Sequence, residues 1–285
     1  MQALVKGGLD VRRKRVVVAG SGPLLLAVAA YLRRAGARVL LIVEQAPFSS
    51  LLRFGARLTA PKLAQAAALQ FQLLGIPYKT SAWVERAEGK DRLESVVVKG
   101  RRIPCDYLAI GYGLAPNTEL AAVFRCELRN GVVHVDDYQR TSTSTVFCAG
   151  EPTGIGGVDL SLIEGEIAGY AAAGDYQKAR TRFAERAAAA RFALHLNRAF
   201  ALRPELRNLP DDGTLVCRCE DVSYGVLKNE TNWREAKLQH RCGMGPCQGR
   251  VCGPATEFLF GWHHDSVRPP VFPARVETLI GEPHS

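Results

Sequence analysis

The sequence has no long apolar segment, which excludes the simplest membrane architecture. Its longest apolar run, Leu24 to Leu32, is far shorter than the about 20 residues that a helix needs to span a bilayer. Residues 1–11 also lack the basic-then-apolar pattern of a secretory signal peptide. We therefore expect a cytoplasmic protein with no transmembrane segment.

Catalytic and nucleic-acid-binding signatures are equally scarce. The chain contains neither a GxSxG nor an HExxH motif. Its net charge of +9 arises from 37 Lys and Arg against 28 Asp and Glu, but the basic residues are spread along the chain without the aromatic residues on which bases stack. The sequence predicts no catalytic residue in this chain and no nucleic-acid partner. Its basic charge is typical of solvated helix faces or of a surface for an acidic protein.

The eight cysteines are distributed unevenly. Without an export signal they argue against a disulfide framework. Cys105, Cys126 and Cys148 are isolated in apolar sequence, where a free cysteine is usually a small buried hydrophobe. The other five lie between 217 and 252, and this clustering requires an explanation.

The first 45 residues predict a βαβ unit of the dinucleotide-binding kind. Residues 15–20 read as a buried strand, 21–23 as a tight turn and 24–35 as a helix. A second strand, 38–43, ends at Glu44. Further along, we expect a hairpin within 94–103, strands at 106–111, 132–136 and 145–150, and helices at 61–74, 159–173 and 176–201.

The turn after the first strand is the candidate nucleotide site. Gly20, Ser21, Gly22 and Pro23 supply the tight turn and the open approach to a pyrophosphate at a helix N-terminus. The third glycine position holds Leu25 instead. Glu44 lies 24 residues after Gly20, where an acid would bind an adenosine ribose 2′-OH and disfavour a 2′-phosphate. NAD(H) or another adenine nucleotide is therefore a candidate ligand, and a scaffold without a ligand is the alternative.

Four of the clustered cysteines form two pairs, Cys217-x-Cys219 and Cys247-x₄-Cys252, separated by 27 residues. An iron–sulfur cluster needs four thiolates that converge from short loops. The glycines at 243, 245 and 249 would let the backbone approach the sulfurs. Zinc is the main rival, because Cys₄ sites also bind Zn²⁺, although C-x-C is an uncommon zinc arrangement. The third possibility is that these cysteines bind no metal.

The strings around these cysteines resemble a known domain. Cys217-Arg-Cys-Glu220 and the segment Arg241-Cys-Gly-Met-Gly-Pro-Cys-Gln-Gly-Arg-Val-Cys252 are similar to the bacterioferritin-associated ferredoxin-like [2Fe–2S] domain. That resemblance implies that Cys217, Cys219, Cys247 and Cys252 are the ligands and that Cys242 is a bystander. Spacing alone leaves Cys242 open as a ligand, because Cys242 and Cys247 are also separated by four residues.

The resemblance extends over nearly the whole chain, to the α subunits of the opine oxidase, D-hydroxyproline dehydrogenase and hydrogen cyanide synthase group. Residues 18–27, 111–119 and 149–157 are similar to the same proteins. In addition, residues 143–151 resemble the C-terminal FAD motif of the two-dinucleotide-domain flavoproteins. The resemblance implies that Gly150 and Glu151 contact the ribityl chain of FAD, whereas a plain strand–turn–helix is the alternative.

In those flavoproteins the NAD-like domain is inserted between two halves of the FAD domain. This chain starts near the inserted domain, so we expect the first half to be missing. FAD would then bind only with a partner that supplies it.

We predict an α/β fold with a Rossmann-like dinucleotide-binding domain, a partial FAD domain and a small helical [2Fe–2S] domain. The predicted limits are 1–113, 114–175, a helical arm and linker at 176–213, the cluster domain at 214–262 and an extended tail at 263–285.

The function that the resemblance implies is that of an electron-transfer subunit in a heteromeric flavin-dependent dehydrogenase or oxidase. The substrate would be an amino acid, an imino acid or an opine. A flavoprotein β subunit would hold the substrate site, and the cluster would relay electrons to an acceptor. The alternatives are a truncated, non-enzymatic interaction protein with a Cys₄ zinc site and an NADH-dependent ferredoxin-type reductase.

Overall fold

The computed structural model describes residues 1–263, 267–272 and 274–280. The chain divides into two compact units. The first comprises Met1–Leu114 and Ala188–Leu206, and the second comprises Ala115–Ala187 and Arg207–Ser285. The predicted domain limits stay a prediction, and the compact units divide the predicted helical arm between them.

Strands and helices alternate through the first unit and become shorter in the second. The strands are β1 (Arg15–Gly20), β2 (Arg38–Glu44), β3 (Tyr78–Lys79), β4 (Val84–Glu88), β5 (Ser95–Val98), β6 (Arg101–Pro104), β7 (Tyr107–Gly111), β8 (Leu128–Arg129), β9 (Val132–Val133), β10 (Leu215–Cys217) and β11 (Val222–Ser223). The helices are α1 (Gln2–Lys6), α2 (Leu24–Arg34), α3 (Phe48–Gly55), α4 (Ala60–Gln72), α5 (Glu119–Val123), α6 (Val158–Ala172), α7 (Tyr176–Thr181), α8 (Phe183–Ala199), α9 (Tyr224–Leu227), α10 (Trp233–His240), α11 (Cys252–Phe260) and α12 (Val276–Ile280).

A four-stranded parallel sheet of order β3-β2-β1-β7 forms the centre of the first unit. Its middle strand β1 carries a continuous run of valines that is buried, as expected where a parallel strand is covered on both faces. The direction in which successive strands are added to the sheet reverses at β1, because β2 and β3 lie on one side of it and β7 lies on the other. This confirms the α/β class with a Rossmann-like parallel sheet, and β1, α2 and β2 match their predicted positions.

The two faces of this sheet are covered by different structures. Helix α2 packs Leu25, Ala29 and Leu32 against one face. On the other face, the antiparallel sheet β4-β5-β6 packs Val96 and Val98. The predicted hairpin is confirmed, because β5 and β6 pair across a two-residue turn in which Lys99 and Gly100 both have positive φ.

The first part of the second unit departs from the expected strands. Residues 145–150 form no strand. Their backbone hydrogen bonds go to a preceding turn, since Thr141 N donates to Val146 O and Cys148 N donates to Gln139 O. Phe147 forms only an isolated antiparallel bridge with Arg140, which is too little pairing for a strand despite the β-favouring residues there. The predicted helix at 176–201 is divided at Arg182 into α7 and α8.

The last part of the chain, from 214 to 262, is a small helical module. The antiparallel pair β10 and β11 is followed by α9, α10 and α11. Trp233 and Trp262 pack in its core together with Cys217, Cys242 and Cys252. Of the predicted tail, residues 264–266, 273 and 281–285 lie outside the described residues, and α12 lies in the remainder. None of the helices in the described part of the chain combines the length and apolarity that a membrane span requires.

Candidate functional site

The C-x-C pair lies at the end of β10. Cys217 is the last residue of this strand and is buried, whereas Cys219 lies in the following turn and is exposed. The chain reverses into β11 through Asp221, whose φ is +51°. Cys217 therefore points into the core of the module and Cys219 lies at its surface.

The second pair lies in the loop before α11. Cys252 is the first residue of α11 and is buried, and Cys247 is half-buried. This loop lies so close to the C-x-C turn that a Cβ on Gly245 would be 2.3 Å from Cys219 Cβ. Glycine at 245 is thus required by close approach, as the sequence predicted for the backbone around the sulfurs.

The two loops bring all four predicted ligands to one cavity of about 320 Å³, which Arg218 and Val251 also line. The side chains of Cys219 and Cys247 are hydrogen-bonded to each other. Burial opposes a low pKa at Cys247, but backbone N–H groups of the same loop, together with the Cys219 thiol, hold its pKa below the ordinary value. This loop therefore stabilises a thiolate.

Cys242 also belongs to this group of sulfurs. The Sγ atoms of Cys217, Cys242 and Cys252 all lie within 4.8 Å of one another, and all three residues are buried. A hydrogen bond with Cys242, together with burial, raises the pKa of Cys252. The resemblance in sequence treats Cys242 as a bystander, and only its C-x₄-C spacing to Cys247 signalled that it could lie nearby.

The donor set fits a group bound by thiolates. Four sulfur atoms around one cavity, with N–H groups directed at Cys247, suit an iron–sulfur cluster or a zinc ion bound by four cysteines, and Cys242 places a fifth sulfur beside them. Within the described residues, no other group of three or more histidine, cysteine or carboxylate side chains lies close enough to hold a metal ion.

An ion pair ties the second cysteine loop to α5. Arg250 donates to Glu119 Oε2 from Nε at 3.0 Å and from Nη2 at 2.5 Å. The same guanidinium donates to the carbonyl oxygens of Cys247 and Val271, and it lies over the Phe272 ring at 4.2 Å. The position of the loop therefore depends on Arg250, which the sequence did not single out.

The predicted flavin motif forms a glycine turn before α6. Gly150 has a φ of +81°, and its N–H donates to Glu164 Oε2 at 2.9 Å. Glu151 Oε1 accepts a hydrogen bond from Gly157 N at 3.1 Å, just before α6 begins. Glu151 Oε2 is buried and has no hydrogen-bond partner among the described residues. A buried free acceptor fits a hydroxyl donor such as that of a ribityl chain.

The glycine turn after β1 has the expected backbone. Gly20 and Gly22 have φ values of +147° and +97°, and Pro23 precedes α2. A Cβ on Gly20 would lie 1.9 Å from Gly111 O, and Leu25 packs against Gly111. The third glycine of the fingerprint usually lets the helix pack closely on the sheet. Here Gly111 of β7 leaves the room that Leu25 needs for this packing.

Glu44 is fully buried and occupied by internal contacts. Its Oε2 accepts from Gly22 N and its Oε1 from Ala46 N, both at 2.8 Å. Burial raises the pKa of Glu44, although hydrogen bonds from Ala46, Gly22 and the Tyr78 hydroxyl oppose the rise. Because Glu44 is fully buried, a ribose hydroxyl could reach its carboxylate only if this arrangement changed.

The chain is similar to known oxidoreductases over most of its length. Residues 2–180 match the family described as pyridine nucleotide-disulphide oxidoreductase. The chain is similar to an opine oxidase subunit of Rhizobium meliloti (strain 1021), with 28% identity over 322 residues that cover 94% of this chain and 68% of that protein. It is also similar to the hydrogen cyanide synthase subunit HcnB of Pseudomonas protegens, with 28% identity over 287 residues, 88% of this chain and 61% of that protein.

Among solved structures, a FAD-dependent pyridine nucleotide-disulphide oxidoreductase from Desulfovibrio vulgaris aligns with 60% of this chain and 45% of its own. The sequence identity is 22% and the TM-score is 0.45. The chain spans 68% and 61% of the lengths of the two curated relatives.

Proposed function

The chain belongs to the pyridine nucleotide-disulphide oxidoreductase family, and from this we propose that it is the electron-transfer subunit of a heteromeric flavin-dependent dehydrogenase or oxidase. Both curated relatives described above carry the word subunit in their names, which supports a hetero-oligomer. The proposed substrate class is an amino acid, an imino acid or an opine. A partner flavoprotein subunit would bind it, and this chain would pass the electrons to an acceptor.

The observation that carries the proposal is the convergence of Cys217, Cys219, Cys247 and Cys252 on one cavity. We assign them as the ligands of a [2Fe–2S] cluster. When bound, such a cluster takes up and releases one electron at a time. The chain's own residues hold the thiolates in place: the Cys247 loop donates N–H groups to sulfur, and Arg250 fixes this loop against Glu119.

FAD is the second proposed cofactor, because the family supports FAD and NAD(H) as its cofactors. Glu151 Oε2 would accept a hydrogen bond from a ribityl hydroxyl, and Gly150 would leave room for that chain.

Zinc is a second candidate for the cysteine site, and one observation favours it. Cys217, Cys242 and Cys252 form a compact group of three buried sulfurs, which would need one further ligand to complete a closed structural zinc site. The chain would then be an interaction protein whose metal stabilises the module and carries no electrons.

Metal and sulfide content separate the two candidates. The full chain is purified without oxygen, reconstituted with iron and sulfide, and analysed for iron, acid-labile sulfide, zinc and visible absorption. We expect equal amounts of iron and sulfide and a thiolate–iron absorption band. Zinc without sulfide in protein that has no such band after reconstitution would contradict the cluster.

Single Cys→Ser variants then test the ligand set. Changes at 217, 219, 247 or 252 should remove the cluster, whereas Cys242→Ser should keep it. Cys105→Ser is the matched control, because Cys105 is equally buried but lies in the core of the first unit. Loss of iron and sulfide in Cys242→Ser, with retention in Cys219→Ser, would contradict this ligand set. It would show that the ligands include the buried group Cys217, Cys242 and Cys252.

A further inference from the structure

The cleft at the carboxyl ends of β1 and β2 contains a segment of the chain itself. In Rossmann-like sheets this crevice is where a dinucleotide places its pyrophosphate. Residues 200–203, which follow α8, lie there instead. Ser21 Oγ donates to Phe200 O at 2.8 Å, and Gln45 Nε2 donates to Ala201 O at 3.1 Å. Arg203 N returns a hydrogen bond to Gln45 Oε1 at 3.1 Å.

The donors that the glycine turn carries at Ser21 and Gly22 are used within the chain. Ser21 N donates to Gly111 O at 2.8 Å, and Gly22 N donates to Glu44 Oε2 at 2.8 Å. A phosphate at a helix N-terminus is bound by such backbone N–H groups. Here the N–H groups of Ser21 and Gly22 and the Ser21 hydroxyl each have an internal acceptor. A pyrophosphate would therefore have to break existing hydrogen bonds to be bound.

Aromatic contacts hold the segment on both sides of the cleft. The Phe200 ring packs edge-on against Phe54 with 5.5 Å between centroids, and Phe54 also packs on Phe192 of α8. The Arg203 guanidinium lies over the Trp83 ring at 5.5 Å. These contacts anchor both ends of the four-residue segment independently of the turn.

The partial charges of the segment 200–203 are opposite in sign to those of the glycine turn. It presents the carbonyl oxygens of Phe200 and Ala201, which follow the C-terminus of α8, where a helix carries partial negative charge. They meet the N-terminal side of α2, where the partial charge is positive. These carbonyl oxygens take the place of phosphate oxygens, and they would repel a phosphate brought beside them.

We propose that residues 200–203 are the built-in occupant of the dinucleotide cleft and that a nicotinamide or adenine dinucleotide binds this chain only by displacing them. The glycine turn, Ser21 and Gln45 then serve to dock the segment after α8. The proposal is independent of the cluster, whose iron and sulfide content is measured separately.

The test compares NADH binding to the full chain and to the double variant Phe200→Ala with Arg203→Ala, by titration calorimetry. The variant loosens both anchors but leaves Gly20, Ser21, Gly22 and Glu44 unchanged. The control is Phe71→Ala with Arg34→Ala, which removes the same side-chain types from exposed positions on α4 and α2. We expect the double variant to bind NADH about tenfold more tightly than the wild type, because each anchoring contact is worth a factor of a few. The control should bind like the wild type.

Hydrogen exchange on the unmodified protein tests the same point without a variant. With NADH at a concentration where it binds, amides in 200–203 should exchange faster, since the ligand displaces them. Binding of NADH while these amides keep their protection would overturn the proposal. Equal affinity of wild type and double variant would overturn it too, as would an absence of binding to a double variant that retains its circular dichroism spectrum.

Discussion

Gly245→Ala is the substitution that most directly links the backbone to the cysteine site. Gly245 does not have positive φ, so the change adds volume without backbone strain. The added Cβ would lie 2.3 Å from Cys219 Cβ and 3.1 Å from Glu220 Oε1. Since carbon atoms pack best at about 3.5–4.0 Å, the two loops would have to separate by roughly 1 Å.

Overpacking of this kind typically costs about 1–3 kcal/mol, and we expect the module to lose stability by that amount. The separation also moves Cys219 away from Cys247, so the variant should hold less iron and sulfide after reconstitution.

Urea unfolding followed by tryptophan fluorescence measures the loss. A Trp83→Phe background confines the signal to Trp233 and Trp262, which both lie in the core of the module. Gly213→Ala is the matched control, because its Cβ would make an ordinary 3.7 Å contact. If Gly245→Ala and Gly213→Ala unfold at the same urea concentration, the close approach of the two loops is wrong.

Two further predictions concern ion pairs. Arg250→Met should destabilise the module by about 1.5–3 kcal/mol, the range for hydrogen bonds to charged groups. Arg275→Met should have almost no effect, because its pair with Glu277 is exposed. Equal urea midpoints for the two variants would contradict this. In the first unit, hydrogen bonds from Arg15 hold the pKa of Asp106 at about 2, against 3.8 ordinarily. Because the native carboxyl binds its proton less readily than the unfolded one, the stabilisation is present above pH 3.8 and is lost as the pH falls towards 2. Arg15→Gln should flatten that part of the acid-unfolding curve, and an unchanged curve would refute the assignment.

Local patterns explain which parts of the fold could be predicted. The valine run of β1 and the glycine turn after it are signals within a few residues, and both lie where the sequence indicated. The segment 145–150 has the same β-favouring composition, but a strand also needs a partner, which composition does not reveal. The docking of Phe200 on Ser21 joins residues 179 positions apart, and no local pattern encodes such a contact.

The cysteine site was predictable to a similar degree. Spacing indicated a thiolate site in this part of the chain, and the family resemblance implied Cys217, Cys219, Cys247 and Cys252 as its ligands. These four residues line one cavity in the structure. The position of Cys242 beside Cys217 and Cys252 depends on how α10 ends. Arg241, the residue that follows α10, adopts a left-handed conformation, although it is not a glycine or asparagine of the kind that usually ends a helix in this way.

The contact between Gly20 and Gly111 has a consequence for how glycine fingerprints are interpreted. Any side chain at position 20 would overlap the backbone of β7, because even a Cβ would lie 1.9 Å from Gly111 O. Selection for a folded sheet is therefore enough to keep this glycine, whether or not a nucleotide is ever bound. In proteins with this architecture, the first glycine of the fingerprint can therefore be retained even where no nucleotide binds.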